Sequence, residues 1–146
     1  MNFTHLHVHT EYSLLDGSNK IKEYVDRVKA LGMDSAAITD HGVMYGVIDF
    51  YRAARAAGIN PILGCEVYVA PGSRFDREAG SGDDRYYHLV LLAENNQGYS
   101  NLMKIVSKGF VEGFYYKPRV DLSLLEKYHE GIIALSACLA GEVARF

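Results

Sequence analysis

Short apolar runs alternate along this chain with segments whose apolar residues recur at helical spacing, and that alternation constrains the fold more than any other feature. A strand followed by an amphipathic helix, repeated, is the pattern of βα units that build a parallel sheet. Phe3 to Val8 reads as a first strand, Ser35 to Thr39 as a second, Pro61 to Val69 as a third, Tyr86 to Ala93 as a fourth and Ile132 to Ser136 as a fifth. Leu6 and Val8 alternate with histidines and are expected on the face packed under helices. Ile21, Tyr24, Val25, Val28 and Leu31 mark a helix capped by Ser18 or Asn19 and stopped by Gly32. A second helix is expected from Tyr45 to Ala57, with Ile48, Tyr51 and Ala54 on one side and Gly58 closing it. A third runs from Gln97 to Phe110, and a short fourth from Leu122 to Tyr128 is capped by Asp121. The polar stretch from Pro71 to Arg85, with Gly72, Gly80 and Gly82, is expected to be a mobile loop.

Five strands of this kind do not close a barrel, and the last would be an unprotected edge. A further helix begins at Gly141-Glu142-Val143, just before the sequence stops at Phe146. The expectation is a single truncated α/β domain over residues 1–146, with a complete small open sheet as the alternative. A chain of 146 residues, 49% hydrophobic and 23% charged, can bury the core of one domain. Its net charge of -3 argues against a general nucleic-acid-coating surface. Two cysteines, Cys65 and Cys138, are too few for a disulfide scaffold. The N-terminus lacks a basic segment followed by an apolar one, and no apolar run approaches the roughly 20 residues of a membrane span. A cytoplasmic location is therefore expected, with reduced thiols that are buried or metal-bound.

Chemistry concentrates where the strands end. His5, His7 and His9 share one face of the first strand, and imidazoles two residues apart on a strand can reach one ion. The second strand ends Thr39-Asp40-His41-Gly42, the third carries Cys65-Glu66, the fourth carries His88 and the fifth runs into Cys138. Ligands and catalytic groups of α/β folds collect at the carboxyl ends of parallel strands. All these residue types ligate zinc, manganese or iron. Taken singly, His88 and Cys138 also suit a packed core, and Asp16 in Leu15-Asp16-Gly17 also suits a turn. His5 lies deeper in its strand and reads as a supporting residue, not a ligand. His129 sits at a helix end, where a positive tip suits the dipole.

The string His5-Leu6-His7-Val8-His9-Thr10-Glu11-Tyr12-Ser13-Leu14-Leu15-Asp16-Gly17 resembles the first motif of the polymerase and histidinol phosphatase (PHP) domain, and Ile38-Thr39-Asp40-His41-Gly42 resembles its second. Gly64-Cys65-Glu66-Val67-Tyr68, Gly113-Phe114-Tyr115-Tyr116-Lys117-Pro118-Arg119 and Leu135-Ser136-Ala137-Cys138-Leu139-Ala140-Gly141-Glu142 are similar to the PHP domains at the N-terminus of bacterial DNA polymerase III alpha subunits. The resemblance implies an irregular (β/α) barrel of seven units, only partly present here. It also implies a multinuclear site for divalent metals, zinc first, with manganese or iron as alternatives. Its ligands would be His7, His9, Asp16, His41, Glu66, His88 and Cys138, with His7, His9, His41 and Glu66 as the catalytic set. The family's last motif, an Asp-x-His pair, is not within the sequence given.

Two functions follow from that likeness. One is two-metal hydrolysis of a phosphoester, expressed in the complete domain as 3′–5′ exonuclease proofreading of a DNA 3′ end. The other is a non-catalytic scaffold that stabilises a polymerase and docks a proofreading subunit. Lys117 and Arg119 are candidate phosphate contacts for the first. The implied partners are DNA or another phosphoester, the remainder of a polymerase alpha chain and other replicase subunits, with no membrane.

Overall fold

A computed structural model of the chain describes residues 3–78 and 86–145. Its elements in order are a 3-10 turn at Glu11–Asp16, α1 (Ile21–Ala30), β1 (Ser35–Ile38), α2 (Val47–Ala57), β2 (Asn60–Val69), β3 (Tyr87–Ala93), α3 (Asn96–Val111), β4 (Phe114–Tyr115), β5 (Lys117–Val120), α4 (Leu122–Tyr128), β6 (Ile132–Leu135) and α5 (Glu142–Arg145). Six strands among the described residues form one mixed sheet, in the order β4-β5-β2-β3-β6, with β1 also paired to β2.

β2 is the spine. Its first half pairs in parallel with β1, from Ser35 opposite Asn60 to Ile38 opposite Leu63. Its second half pairs in parallel with β5, where Tyr68 faces Arg119. Along the other edge β3 runs antiparallel to it, with Tyr68 opposite His88, and β6 is antiparallel to β3. The expected run of parallel βα units is therefore corrected to a mixed sheet. Among the described residues no helix stands between β2 and β3, and the chain returns beside β2 in the opposite sense. That reversal puts His88, near the start of β3, level with the far end of β2.

The first strand expected at Phe3 to Val8 is instead an extended segment beside β1. Ala37 N–H donates to the His5 carbonyl at 3.2 Å and Thr39 N–H to the Val8 carbonyl at 2.8 Å. A regular ladder is broken by Thr39, whose Oγ1 accepts from Val8 N–H at 2.8 Å and sits 3.1 Å from the Val8 carbonyl. Val8 packs on the core as expected, whereas Leu6 stays exposed.

Two apolar clusters hold the layers together. Ile21, Val25, Val28, Val47, Phe50 and Ala54 join α1 and α2 to β1. Val67, Leu91, Leu102, Ile105, Val120 and Leu124 join α3 and α4 to the sheet. The packed side of α2 is thus Val47, Phe50 and Ala54, not Ile48 and Tyr51, which are exposed. Both stripes carry a ring, and the one without a hydroxyl is buried: Phe50 stacks on Tyr24 of α1 at 5.9 Å between centroids, while the Tyr51 side is left exposed. Neither Ser18 nor Asn19 caps α1; Lys20 stands at its N-cap with no side-chain bond, because Asn19 gives its amide to the His9 carbonyl at 2.8 Å. Asp121 caps α4 as expected, accepting from Leu124 N–H at 3.0 Å.

Of the expected mobile loop, residues 79–85 lie outside the described residues. The part before them is pinned. Arg74 binds Asp121 at 3.0 Å and Glu112 at 2.7 Å, and its own N–H reaches Asp121 at 2.9 Å. No helix among the described residues is long and apolar enough to cross a membrane.

Candidate metal centre

Glu66 lies at the middle of the site. β2 carries it inward with 0% exposure, and its backbone ties it to the β1 end: Glu66 N–H donates to the Asp40 carbonyl at 3.0 Å, and Gly42 N–H to the Glu66 carbonyl at 2.8 Å. His41 is thereby fixed beside it, Nδ1 3.3 Å from Glu66 Oε2. From the N-terminal segment, His7 Nε2 stands 2.8 Å and His9 Nε2 2.9 Å from the same oxygen. From β3, His88 Nδ1 stands 2.8 Å from Oε1. Cys138 Sγ lies 3.7 Å from Oε1 and 3.5 Å from His88 Nδ1. Asp16 is at the rim, 72% exposed, with Oδ2 4.0 Å from His41 Nε2.

All seven residues expected as ligands are therefore brought to one place, though not equally. His7, His9 and Glu66 form one trio of ligand atoms lying within 4.8 Å of one another, and His41, Glu66 and His88 form a second that shares the carboxylate. Asp16 and Cys138 flank these trios. His5 is exposed, stacks edge-on with Phe3 at 4.7 Å and lines an open cleft with His7, His9 and Asp16. His129 ends α4, its Nδ1 2.6 Å from the Glu126 carbonyl, away from the cluster as expected. Cys65 points to the opposite face, where burial pushes its thiol pKa far up and Sγ donates to the Asp40 carbonyl at 3.4 Å.

The electrostatics are those of a cation site. Burial alone would raise the Glu66 pKa, but hydrogen bonds with His7, His88 and His9 reverse the sign and hold the carboxyl well below the ordinary carboxylate range. Burial, then the neighbouring His9, lowers the pKa of His41. His41 Nδ1 is buried and makes no hydrogen bond despite its 3.3 Å approach to Glu66 Oε2. His7 Nε2 and His9 Nε2 converge to 3.0 Å, and the His9 and His41 rings stack at 4.0 Å. Imidazole nitrogens and a buried carboxylate oxygen lying within 4.8 Å of one another, with a thiol beside them, fit divalent ions of the zinc, manganese or iron type.

A further set of residues holds the candidate ligands in place, and the sequence alone does not assign it. Asp40, buried, accepts from Thr10 N–H at 2.6 Å, Thr10 Oγ1 at 2.7 Å and Ser13 Oγ at 2.7 Å. Ser13 Oγ also accepts from His41 N–H at 3.2 Å and lies 3.5 Å from His9 Nδ1. The only clue in the sequence is the Thr-x-x-Ser spacing after His9, common to many caps and turns. Gly17 lets the turn close, since a β-carbon there would fall 1.8 Å from the Thr10 carbonyl oxygen.

The two expected phosphate contacts separate. Lys117 is exposed, with Nζ 5.5 Å from the centroid of the Tyr68 ring. Arg119 is 0% exposed, and its guanidinium binds the carbonyls of Gly113 and Arg74 at 3.3 Å each, and that of Asp76. A cation that supports three carbonyls from the interior offers no face to a substrate phosphate, and the structure assigns Arg119 to the fold instead.

A mixed α/β fold that gathers imidazoles, a carboxylate and a thiol at one place presents a candidate site for divalent metals. The chain belongs to the PHP domain family, whose model matches residues 5–146. It is 53% identical over 143 residues to the DNA polymerase III subunit alpha of Treponema pallidum, and 46% identical over 149 residues to that of Thermus aquaticus. These matches cover 98% and 100% of this chain but only 12% of either relative, so the chain spans about an eighth of their length. Among solved structures, a protein assigned as a metal-dependent phosphoesterase from Bifidobacterium adolescentis shares the fold with a TM-score of 0.53 at 19% identity, over 74% of this chain and 33% of that one. An amidohydrolase from Chromobacterium violaceum matches with a TM-score of 0.50 at 27% identity, over 72% of this chain and 34% of that one.

Proposed function

We propose that this chain is the PHP part of a bacterial replicative polymerase alpha subunit, and that its histidine cluster hydrolyses phosphodiesters at DNA 3′ ends. The observation that carries the reading is Glu66: a carboxylate with no exposed surface, met on both oxygens by imidazoles that arrive from the N-terminal segment, the β1 end and β3. Burying such a charge is expensive, and an apolar residue would pack β2 more cheaply. Its retention among ligands makes sense where cations are to be held.

His7, His9, His41, Glu66 and His88 would hold the ions, with Asp16 and Cys138 completing their surroundings. Divalent ions there supply Lewis-acid polarisation of phosphoryl oxygens and a water made acidic enough to react near neutral pH. The protein contributes orientation. Asp40, through Thr10 and Ser13, fixes the His9 and His41 rings face to face. Glu66 keeps its neighbours' nitrogens turned inward, and the exposed Asp16 leaves the rim open to substrate. Under this reading the partners are the DNA end, the rest of the polymerase alpha chain and the other replicase subunits.

The test uses the full polypeptide in which this chain occurs, loaded with zinc or manganese and given a 3′-labelled primer. Release of the terminal nucleotide, lost in Glu66→Gln and in His9→Ala, is the expected result. Metal uptake without release would leave the cluster as a cross-link and favour the scaffold role. No metal uptake at all would remove both the ions and the hydrolysis.

A further inference from the structure

The hairpin of β4 and β5 sets an aromatic and cationic tip beside the cluster, and nothing in the chemistry above explains its shape. Phe114 pairs with Pro118 and Tyr115 with Lys117, which leaves Tyr116 at the apex. Tyr116 holds a φ of 61°, a left-handed conformation that glycine adopts freely and a bulky residue does not. Among the described residues, the other non-glycine residues with positive φ are Leu14 and Ala137. Leu14 lies in the turn that ends at Asp16, and Ala137 precedes Cys138. Strained backbone thus recurs at three places around one centre, a distribution typical of functional sites.

The tip's position follows from its packing. A β-carbon on Gly42 would lie 2.8 Å from Tyr68 Cε2 and 3.1 Å from Pro118 Cγ, so the hairpin abuts the turn that carries His41. Tyr68 meets the His41 ring at 6.2 Å and the His88 ring at 5.2 Å, while Lys117 Nζ sits 5.5 Å from its centroid. Tyr86 packs edge-on against Tyr68 at 4.8 Å. A continuous line of rings therefore leads from two candidate ligands to the lysine. Behind the tip, the Arg119 guanidinium lies 5.0 Å from the Tyr115 centroid, bracing the hairpin from the interior. In front, Tyr116 is 66% exposed and Lys117 is exposed with it.

We infer that the Tyr116–Lys117 tip is a binding subsite for single-stranded nucleic acid approaching the cluster, with Tyr116 stacking on a base and Lys117 pairing with a backbone phosphate. An exposed ring next to an ammonium suits a single strand: each base offers a π face, and each linkage a negative charge. Paired bases in a duplex would present no such face. The inference deepens the phosphodiesterase reading and rests on it for the direction of the strand, but its test has an arm that needs no hydrolysis.

That arm uses the full polypeptide treated with chelator and a 5-iodouracil oligonucleotide, irradiated and mapped by peptide mass spectrometry. A cross-link in the peptide holding Tyr115 and Tyr116 is expected, and its absence from that peptide overturns the inference. The Tyr116→Gly variant keeps the backbone the apex requires and removes the ring with its 4.7 Å edge-on contact to Tyr115, so with its melting checked to show that it folds, the cross-link should fall roughly tenfold. The second arm uses manganese-loaded protein. The parent should cleave both a 3′-labelled oligonucleotide and bis(p-nitrophenyl) phosphate, and the Lys117→Met variant should raise KM for the oligonucleotide roughly tenfold. A parent that cleaves neither substrate defeats the phosphodiesterase reading and leaves the cross-link to decide this one. Variants that match the parent in both cross-link yield and KM overturn the subsite.

Discussion

A carboxyl group with no exposed surface ordinarily takes up a proton, because burial penalises its charged form. Glu66 keeps its charge because His7, His9 and His88 hydrogen-bond to it from separate segments. His41 shows the complementary effect, since burial and the adjacent His9 depress its pKa below the ordinary value of 6.5. Between those two values the folded protein binds fewer protons than the unfolded chain, so stability is whole above pH 6.5 and drains as the pH falls through that window. Glu66 adds a loss of the same sign that sets in only below its ordinary value of 4.5. Chelated protein should therefore melt at progressively lower temperature as buffers are taken from neutral toward pH 5, and His41→Asn should flatten that slope. An identical slope in the variant would show that His41 does not titrate with folding. Arg119 gives a prediction of the opposite kind. Its guanidinium satisfies carbonyls of Gly113, Arg74 and Asp76 from a fully buried position. Arg119→Ala should cost about 3 kcal/mol in denaturant unfolding, whereas a surface phosphate contact would leave stability unchanged. The candidate ligands are legible in the sequence because His, Glu and Cys at successive strand ends are hard to account for as packing. The roles of Asp40, Thr10, Ser13 and Arg119 are not, because they depend on which groups are neighbours across the fold.

Elements were read well where periodicity had one solution. The apolar spacing from Ile21 to Val28 and the Asp121 cap leave little choice, and α1 and α4 form there. α2 offers two apolar stripes one residue apart in phase, and the buried one is that whose Phe50 stacks on Tyr24. β4 and β5 are too short to show alternation in the sequence, and the direction of β3 is not encoded in its own residues. Close approach of backbones is equally invisible in composition. Gly98 lies in the first turn of α3, where glycine to alanine ordinarily stabilises a helix by up to ~1 kcal/mol. Here a β-carbon would fall 1.8 Å from the Gly131 carbonyl oxygen, which itself accepts from Glu94 N–H at 2.9 Å. Gly98→Ala should reverse the usual sign and destabilise by about 2 kcal/mol, as overpacking does. Chemical denaturation measures it, and a gain in stability would mean that α3 can move away from the Gly131 turn at little cost.

On the scale of the whole molecule the cluster is a junction between distant parts of the chain. His7 is 59 residues from Glu66, and Cys138 is 72 residues from it on the other side. The two apolar cores lie against different parts of the sheet, α1 and α2 on one and α3 and α4 on the other, and β2 runs between them. An ion held by His7, His9 and Glu66 would bind the N-terminal segment to that spine, and one held by His41, Glu66 and His88 would bind the β1 end to β3. Such ions bind the folded state and find no preformed site in the unfolded chain, so they stabilise by mass action. At a hundredfold excess over the dissociation constant the gain is about 2.7 kcal/mol, or roughly ten degrees of melting temperature for a domain of this size. Titrating zinc or manganese into chelator-treated protein should raise the melting temperature by that order, and Glu66→Gln should abolish the rise, because both trios share its carboxylate. His129→Ala, at the α4 end and outside the cluster, should retain it in full. A metal-induced rise that survived Glu66→Gln would place the ions elsewhere and detach the junction from any role in binding them.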